Sequence, residues 1–454
     1  MAKSLSESQM TIFQKVIASL TKPCENGKTF LVQGAAGSGK TFLLNYIRSH
    51  CDKNDIKAIA FAYTGIASCL LSKGKTVHSQ FRIPWNQKNV TSALESTRPA
   101  YQTIKNASIL LWDQAAFCSK YIFEEVDRFL RAMMDSNQLF GGKVVVMCGD
   151  FNECLPIVKH AKSKSSESHS LLFSELYKQM HKFILHENFR FKQQTDYRFC
   201  LDVGLGIHEH ISIPSQCRVF NLDSLINTTY GLHTTNDLIE RSILTVYSVD
   251  VDYLNHECMK RLSETSVLFH AKNYFQKIDP EKRSRFYSID YTIENLPQYF
   301  PSDVLELNKN CPIMLKQSYK GLAPGTRLVI KKLTRMSIVA EISAGDRKGK
   351  SINIYRINTV KLFPNANLQF VRRQFPVSLC YAMTINKALG LEFKQLGVYF
   401  PSDAFAHGQM YVTFSRTPTI EQNMKILVLE PSDFDRMPNI VNANVAEQLP
   451  QIQP

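Results

Sequence analysis

The stretch Gly34-Ala35-Ala36-Gly37-Ser38-Gly39-Lys40-Thr41 decides the fold of this chain. It fits the pattern G-x-x-x-x-G-K-[ST], in which glycine lets backbone N–H groups turn inward onto phosphate oxygens. The apolar run at 28–33 before it is typical of a buried strand, and apolar residues recur at helical spacing after it. We therefore predict a strand, a phosphate-binding loop and a helix. Lys40 would contact the terminal phosphates, and the Thr41 hydroxyl would contact Mg²⁺.

The positive charge of the chain is concentrated in one segment. The 454 residues suffice for two to four domains, and 44% hydrophobic with 21% charged residues describes an ordinary globular protein. The net charge is +14, and residues 311–373 contain thirteen Lys and Arg against two acids, a net charge of +11. Such a patch favours a polyanionic partner, with a generally basic surface as the alternative interpretation.

The sequence indicates neither export nor a membrane. Eleven cysteines without a C-x-x-C pair favour a reducing, intracellular location over a disulfide framework or a zinc site. No apolar run approaches the ~18 residues that a transmembrane helix needs, and residues 1–8 lack the apolar core of a secretion signal. His208-Glu209-His210 has no third clustered ligand, so we interpret it as a surface turn rather than a metal site.

Three further apolar runs follow the phosphate loop, separated by helical patterns. They lie at 58–62, 108–113 and 143–150. This alternation is typical of a mainly parallel sheet covered on both faces. The second run ends on Asp113 and the third on Asp150. Because the carboxyl ends of parallel strands converge on the ligand, we expect both carboxylates beside Lys40 and Thr41.

The second half of the chain shows an interrupted α/β pattern. Short β-like runs between Gly and Pro turns at 311–373 suggest a small β-barrel, and alternating strands and helices return at 377–429. Residues 263–300 have a mixed pattern that predicts no definite element. The Pro-, Asn- and Gln-rich residues 431–454 are predicted to be a flexible tail.

Several other stretches indicate the type of protein more specifically than the phosphate loop alone. They are Thr64-Gly65-Ile66-Ala67 with Thr76-Val77-His78-Ser79, Leu111-Trp112-Asp113-Gln114-Ala115, Phe140-Gly141-Gly142-Lys143 with Gly149-Asp150-Phe151, Gly325-Thr326-Arg327-Leu328, Gln374-Phe375-Pro376 with Met383-Thr384-Ile385-Asn386-Lys387, and His407-Gly408-Gln409-Met410-Tyr411-Val412 with Ser415-Arg416. Together with the phosphate loop, and in this order, they resemble the petite-integration-frequency (Pif-type) helicases of superfamily one, in the 5′-to-3′ branch. The versions in Helitron transposons and some large DNA viruses look most similar. The resemblance covers about residues 5–430.

The resemblance implies an α/β fold with two RecA-like P-loop NTPase cores and ATP at their interface. A small SH3-like β-barrel would be inserted in the second core. The implied domains are a first core at 1–185 with a small insertion near 82–105, a second core at 186–310 and 374–430, the basic insertion at 311–373, and the tail at 431–454.

The resemblance also implies roles at the nucleotide. Gln9 would recognise adenine, although without the resemblance it would be taken for a solvated glutamine at a helix start. Asp113 would hold Mg²⁺ opposite Thr41. Arg190 and Arg416 would reach the γ-phosphate from the second core, where an arginine stabilises the charge on the transferred phosphoryl group. A surface arginine is the alternative for each.

Single-stranded DNA is the implied partner, alone or as the tail of a 5′-tailed duplex. The implied contacts are Thr64, Gly65, His78 and Ser79 in the first core, and Thr384, Asn386 and Lys387 in the second. Phe81 and Trp85 can stack on bases, with core packing as an equal alternative for Phe81. We expect a monomer or weak oligomer on DNA, in the nucleus or, for a virus, in the host nucleus.

Three departures from the family fall on catalytic positions. The family has Asp-Glu where this chain has Asp113-Gln114, and glutamine cannot accept a proton as the base that activates water. Glu153 stands where the family has glutamine. It either compensates as a carboxylate near the water or marks decay, because a carboxylate repels a triphosphate. Ala388-Leu389 replaces Ser-Gln and removes polar groups.

The leading hypothesis is an ATP-dependent 5′-to-3′ DNA helicase that translocates on single-stranded DNA, with hydrolysis in doubt at Gln114, Glu153, Ala388 and Leu389. The alternative is a helicase-derived protein that binds ATP and nucleic acid and turns over slowly. A P-loop enzyme for small molecules, such as a kinase, is a third hypothesis. The paired arginines and the basic segment argue against it.

Overall fold

The computed structural model of the chain describes most of the sequence, apart from short gaps. The described residues are 4–21, 28–84, 91–156, 167–231, 238–262, 265–282, 288, 292–293, 296–297, 299–429 and 434–446. Within this part of the chain, every helix is too short or too polar to cross a membrane. The ten cysteines that it includes are all free thiols.

The first core is built on a six-stranded sheet in which every neighbouring pair is parallel. In sheet order, its strands are Lys75–Thr76, Ala58–Ala62, Ile109–Asp113, Val144–Gly149, Thr29–Gly34 and His181–Leu185. Successive side chains of a strand point to opposite faces. Accordingly, Leu31 packs with Val126 on one face, and Val32 packs with Leu43 on the other. The predicted parallel sheet covered on both faces is confirmed.

Helices cover both faces of this sheet. They are Glu7–Thr21, Lys40–Lys53, Gly65–Leu70, Val77–Phe81, Pro99–Lys105, Lys120–Met134 and Glu175–Lys178. Pro99–Lys105 lies within the insertion predicted near 82–105, and its Ile104 is buried in the core. The strand His181–Leu185 completes the sheet, although the sequence showed no clear signal for it.

The second core contains a five-stranded sheet that is also parallel throughout. Its strands, in sheet order, are Ala382–Thr384, Arg241–Thr245, Gln395–Phe400, Met424–Val428 and Arg218–Val219. Its helices are Gln194–Leu205, Leu222–Tyr230, Ser248–Leu262, Gln409–Phe414 and Ile420–Asn423. Two parallel sheets therefore meet the expectation of two α/β cores.

Antiparallel strands fill the interval between the two parts of the second core. They are Val267–His270, Lys272–Lys277, Val304–Leu307, Pro312–Leu315, Arg327–Leu333, Ser337–Ile342, Ser351–Tyr355, Ile357–Phe363, Leu368–Gln374 and Val377–Leu379. They form sheets of five, three and two strands. The β structure begins before residue 311, because Lys272–Lys277 pairs with Leu368–Gln374, about 90 residues later. An SH3-like barrel for this segment stays a prediction.

The described part of the predicted flexible tail, residues 434–446, is packed onto the cores. Met437–Pro438 pairs with the short strand His210–Ile211, and a short helix spans Ala443–Ala446. Phe434 and Met437 are buried in the second core, and Val445 is buried against the first. Composition alone predicted a loose segment, whereas these three apolar side chains anchor it.

Candidate functional site

The phosphate loop lies at the carboxyl end of a central strand of the first sheet. Strand Thr29–Gly34 leads into it and helix Lys40–Lys53 leaves it, as predicted. Gly37 and Gly39 have φ values of +87° and +82°, a region that only glycine adopts easily. A Cβ at Gly37 would also lie 2.6 Å from the Cβ of Arg190. The loop is thus shaped by glycine and packed closely against the chain that follows the first core.

Lys40, Thr41 and Asp113 come together at this loop. The Lys40 ammonium donates to the carbonyl oxygens of Gly34 and Ala35 at 2.7 and 2.9 Å. The Thr41 hydroxyl donates to Asp113 Oδ2 at 2.6 Å. Burial raises the pKa of Asp113, and the bonds from Thr41 and the Gln114 N–H oppose that rise. A hydroxyl and a carboxylate oxygen therefore stand side by side, and these are ligand types that Mg²⁺ prefers.

Gln9 lies on the phosphate loop and belongs to a capping box. Ser6 Oγ accepts from the Gln9 N–H at 3.4 Å, and Gln9 Oε1 accepts from the Ser6 N–H at 3.2 Å. The Gln9 side-chain amide then donates to the Ser38 carbonyl at 3.3 Å. The side chain is buried, and both its amide oxygen and its amide nitrogen are hydrogen-bonded. The predicted contact with adenine would require this amide to exchange partners.

Gln114 connects the metal-ligand position with a predicted DNA contact. Its backbone is left-handed, with φ of 53°, directly after Asp113. Its side-chain oxygen accepts from the Thr64 hydroxyl at 2.9 Å. Its side-chain nitrogen lies 2.8 Å from where a Cβ at Gly390 would stand. Glycine at position 390 therefore makes room for Gln114 at the boundary of the two cores.

The two predicted γ-phosphate arginines lie next to each other, and each is bonded to an acid. Arg416, which is 1% exposed, donates from Nη2 to Glu153 Oε1 at 2.9 Å. Arg190 donates from Nε to Glu392 Oε2 at 3.0 Å and from Nη1 to the Ser415 carbonyl at 2.6 Å. Burial and then repulsion from Arg416 lower the pKa of Arg190. Glu153 of the first core thus holds an arginine of the second.

Tyr411 is a site residue that sequence reasoning missed. Its hydroxyl accepts from the Ala36 N–H of the phosphate loop at 2.8 Å and donates to Asp150 Oδ2 at 2.7 Å. Burial raises the pKa of Asp150 to about 6, with Lys40 opposing the rise. A signal was present, because Tyr411 lies in the quoted stretch that leads to Arg416. A buried tyrosine hydroxyl needs a hydrogen-bond partner, and the sequence analysis assigned this residue no role.

The predicted first-core DNA contacts differ in accessibility. Thr64 caps helix Gly65–Leu70, and a Cβ at Gly65 would come within 1.8 Å of the Pro324 carbonyl oxygen. Gly65 is therefore covered by the turn that precedes Gly325-Thr326-Arg327-Leu328. Ser79 is exposed, whereas His78 is buried with its Nδ1 3.0 Å from the Ile83 carbonyl. Burial lowers the pKa of His78, which favours a neutral ring.

Phe81 is a core residue, which corrects its prediction as a base-stacking side chain. Its ring is fully buried and packs edge-on against Phe61 at 5.2 Å and Phe129 at 6.1 Å. The apolar spacing around helix Val77–Phe81 turns this side chain inward, so it cannot meet a base. Trp85, the other predicted stacking residue, lies outside the described residues.

The second-core residues lie at the carboxyl end of strand Ala382–Thr384. Asn386 accepts from the Gln409 side-chain amide at 3.4 Å, and Lys387 is exposed. Lys316, to which the sequence analysis assigned no role, lies close enough to Lys387 for their charges to interact. Burial and then the Lys387 charge lower the pKa of Lys316 to about 8. Two lysines close enough to repel each other form a place that favours an anion.

The basic segment is less uniform than its charge suggested. Arg327 and Arg372 are buried, and both donate to backbone carbonyls. The exposed cations of the segment are Lys320, Lys332, Arg335, Lys348, Lys350 and Arg373. The predicted electrostatic surface for a polyanion thus depends on these outer side chains, while the two buried arginines stabilise the fold.

The third departure, Ala388-Leu389, is buried in the hydrophobic core of the second domain. The Ala388 carbonyl accepts from Arg416 Nη1 at 3.4 Å. Neither apolar side chain is exposed. No group of three His, Cys, Asp or Glu among the described residues is arranged to hold a metal ion. His208, Glu209 and His210 are exposed, and His210 begins the short strand His210–Ile211.

The chain is similar in sequence to known helicases. A family model for PIF1-like helicases matches residues 4–199. The ATP-dependent DNA helicase PIF1 of Danio rerio is 23% identical over 470 residues, which cover 98% of this chain and 63% of that protein. The chain thus spans less than two thirds of the length of this curated relative.

Two solved structures share the fold. The Pif1 helicase of Candida albicans has a TM-score of 0.74 at 19% identity, covering 98% of each chain. Bacteroides Pif1 in complex with ADP-AlF3 and single-stranded DNA has a TM-score of 0.71 at 20% identity, covering 98% of this chain and 96% of that one. These likenesses confirm the mixed α/β fold with RecA-like cores.

Proposed function

We propose that the chain is an ATP-dependent DNA helicase moving 5′ to 3′ on single-stranded DNA, because its residues 4–199 match the family model for PIF1-like helicases and its curated relative is such a helicase. The observation that carries this proposal is the convergence of two cores on one loop. Lys40 and Thr41 come from the first core, while Arg190 and Arg416 follow it and stand next to each other. The Bacteroides relative in complex with ADP-AlF3 and single-stranded DNA supports the same ligands here. On the same ground, we propose that the protein acts in the nucleus.

The phosphate loop would hold the triphosphate, and Thr41 with Asp113 would hold Mg²⁺. The 2.6 Å bond between their oxygens supports this assignment. The metal would supply charge stabilisation at the phosphates. Lys40 has its ammonium on two loop carbonyls, from which it can turn toward phosphate oxygens. Thr64, bonded to Gln114, would link occupancy of the DNA path to this site.

Impaired hydrolysis is part of the proposal. Gln114 occupies the position of the catalytic base and cannot accept a proton. Glu153 carries the alternative carboxylate, but its oxygen is bonded to Arg416. As long as that ion pair persists, Glu153 is not free to act as a base and Arg416 is not free for the γ-phosphate. This arrangement favours decay over compensation.

The proposal is tested by ATP hydrolysis with and without single-stranded DNA, and by unwinding of tailed duplexes. We expect stimulation by single strands, and unwinding of a 5′-tailed duplex in preference to a 3′-tailed one. Preparations of the Lys40→Ala variant control for contaminating enzymes. Hydrolysis that DNA does not change would contradict the proposal and revive a small-molecule P-loop enzyme.

A helicase-derived clamp is the second candidate function. Gln114 and the buried Ala388-Leu389 favour it, because they remove polar groups from catalytic positions. Such a protein would bind single strands when ATP is bound but would not unwind a 5′-tailed duplex. Tight binding combined with absent unwinding would therefore select this candidate.

Exchanging Glu153 for glutamine is expected to strengthen ATP binding about fivefold. The exchange removes a negative charge near the triphosphate, worth about 1 kcal/mol for charges 4 Å apart in water, and it releases Arg416 from the ion pair. The dissociation constant of ATP, measured by titration calorimetry, tests this expectation. Glu392→Gln is the matched control, since Glu392 pairs with Arg190 from a more exposed position.

Two results with the Glu153→Gln variant, one on ATP binding and one on turnover, would change this interpretation. Unchanged or weaker binding of ATP to the Glu153→Gln variant would contradict the repulsion argument. Loss of turnover in the same variant would show that Glu153 serves as the carboxylate at the water, and the interpretation as compensation would replace decay.

A further inference from the structure

Two exposed aromatic rings stack on each other at the carboxyl edge of the second sheet. The ring centroids of Tyr247 and Phe405 are 5.2 Å apart, and their planes meet at 13°. Tyr247 is 42% exposed and Phe405 is 56% exposed. They follow the neighbouring parallel strands Arg241–Thr245 and Gln395–Phe400. A flat, doubled aromatic surface therefore faces solvent at the edge where ligands bind in such sheets.

The backbone holds the Phe405 ring in this exposed position. The buried side chain of Gln409 accepts from the N–H groups of Phe405 and Ala406 at 2.9 and 3.2 Å. The same side chain donates to Asn386 at 3.4 Å. Gln409 thus fixes the loop that carries Phe405 and joins it to a residue predicted to contact DNA.

Positive charge follows directly on Asn386, the residue that Gln409 contacts. Lys387 follows Asn386 directly and is exposed, and its charge adds to burial in lowering the pKa of Lys316 to about 8. No ion pair of either lysine is found among the described residues. Asp252 is the acid that acts on Lys316, and Asp250 accepts from Thr245 at 3.4 Å. An anion between the lysines would relieve their repulsion.

We propose that Tyr247 and Phe405 form a stacking platform for the bases of single-stranded DNA, with Lys316 and Lys387 at the adjoining phosphates. Every base has a π face, so such a platform accepts any sequence. The lysines favour a strand of nucleic acid over an apolar protein segment, because only the strand offers both a ring and a phosphate. This inference rests on the proposed DNA-binding function and adds the base-contacting residues that Phe81 does not supply.

The test compares two oligonucleotides of equal length, one of mixed sequence and one in which abasic sites replace the bases. Binding to the full chain is measured by fluorescence anisotropy at several salt concentrations. The Tyr247→Ala/Phe405→Ala double variant is expected to bind the mixed oligonucleotide about 10-fold more weakly, on the scale of one stacked base, and the abasic one unchanged. Lys387→Ala is expected to weaken both and to lower the salt slope by about 0.7.

The rings are exposed, so the double variant should fold, and Tyr247→Phe with Phe405→Tyr should retain binding. Equal binding of both oligonucleotides by the unmodified protein would overturn the inference alone. Equal weakening on both oligonucleotides in the double alanine variant would also overturn it, because the rings would then only support the loop. Failure of the unmodified protein to bind either oligonucleotide would overturn the proposed function and this inference with it.

Discussion

Replacing Gln114 with glutamate is expected to raise the DNA-stimulated rate of ATP hydrolysis about 10²–10⁴-fold, the usual contribution of a general base. Glutamate has almost the same shape, and its carboxylate can still accept the bond that the Thr64 hydroxyl gives to Gln114. The backbone at position 114 is left-handed, and the side chain lies between Thr64 and Gly390. Steady-state turnover with saturating single-stranded DNA measures the effect.

Matched variants separate the base from other causes. Gln114→Met keeps the length of the side chain but offers no oxygen, so it should turn over no faster than the natural protein. The double exchange of Gln114→Glu with Glu153→Gln restores the family pattern at both positions. If Gln114→Glu leaves turnover unchanged while Glu153→Gln abolishes it, the natural protein already uses Glu153, and the assignment of Gln114 as the missing base is wrong.

The elements around the phosphate loop could be predicted because their signals are local. A strand of six buried residues, a glycine loop and an amphipathic helix each follow from neighbouring residues, and Asp113 was placed by the rule for parallel strands. The bond between Thr41 and Asp113 follows from that placement. Local patterns therefore fixed the position of the nucleotide site.

The contacts that join the two cores at the site are not local, so no pattern of neighbouring residues predicts which side chains pair. Glu153 and Arg416 are 263 residues apart, and Tyr411 reaches Ala36 across 375 residues. Lys272–Lys277 became a strand because a distant strand pairs with it, and its own residues gave only a mixed pattern. The fold class can thus be predicted from the sequence, whereas the ion pair between Glu153 and Arg416 can be identified only from the structure.

Phe81 illustrates a different limit. Its spacing allowed both a core position and a base contact, and packing against Phe61 resolved the choice. An exposed aromatic pair arose instead from Tyr247 and Phe405, which are 158 positions apart in the chain and come together only because their strands are neighbours. The sequence shows which side chains are aromatic and can stack on bases. The order of the strands determines which of these rings are exposed.

Replacing Arg416 with alanine is expected to lower turnover about 10³-fold, the lower end of the contribution of an arginine finger. The effect is best measured in the Gln114→Glu background, where hydrolysis should be fast enough to follow. Arg416 is held in place by its own helix, since Nε donates to the Val412 carbonyl at 3.0 Å. Only Nη2 reaches across to Glu153. This geometry leaves one end of the guanidinium available once Glu153 is displaced.

Truncation of Arg416 also leaves Glu153 without its partner, and an unpaired carboxylate that is largely buried destabilises a protein by itself. The Arg416→Ala/Glu153→Gln double variant removes that charge and should recover the free energy of unfolding without recovering turnover. Recovery of both would mean that Arg416 acts only by holding Glu153. Arg416→Lys keeps a charge but loses the planar fork, so it should remain about as slow as alanine. A fast lysine variant would show that charge alone suffices, against the role proposed for Arg416 at the γ-phosphate.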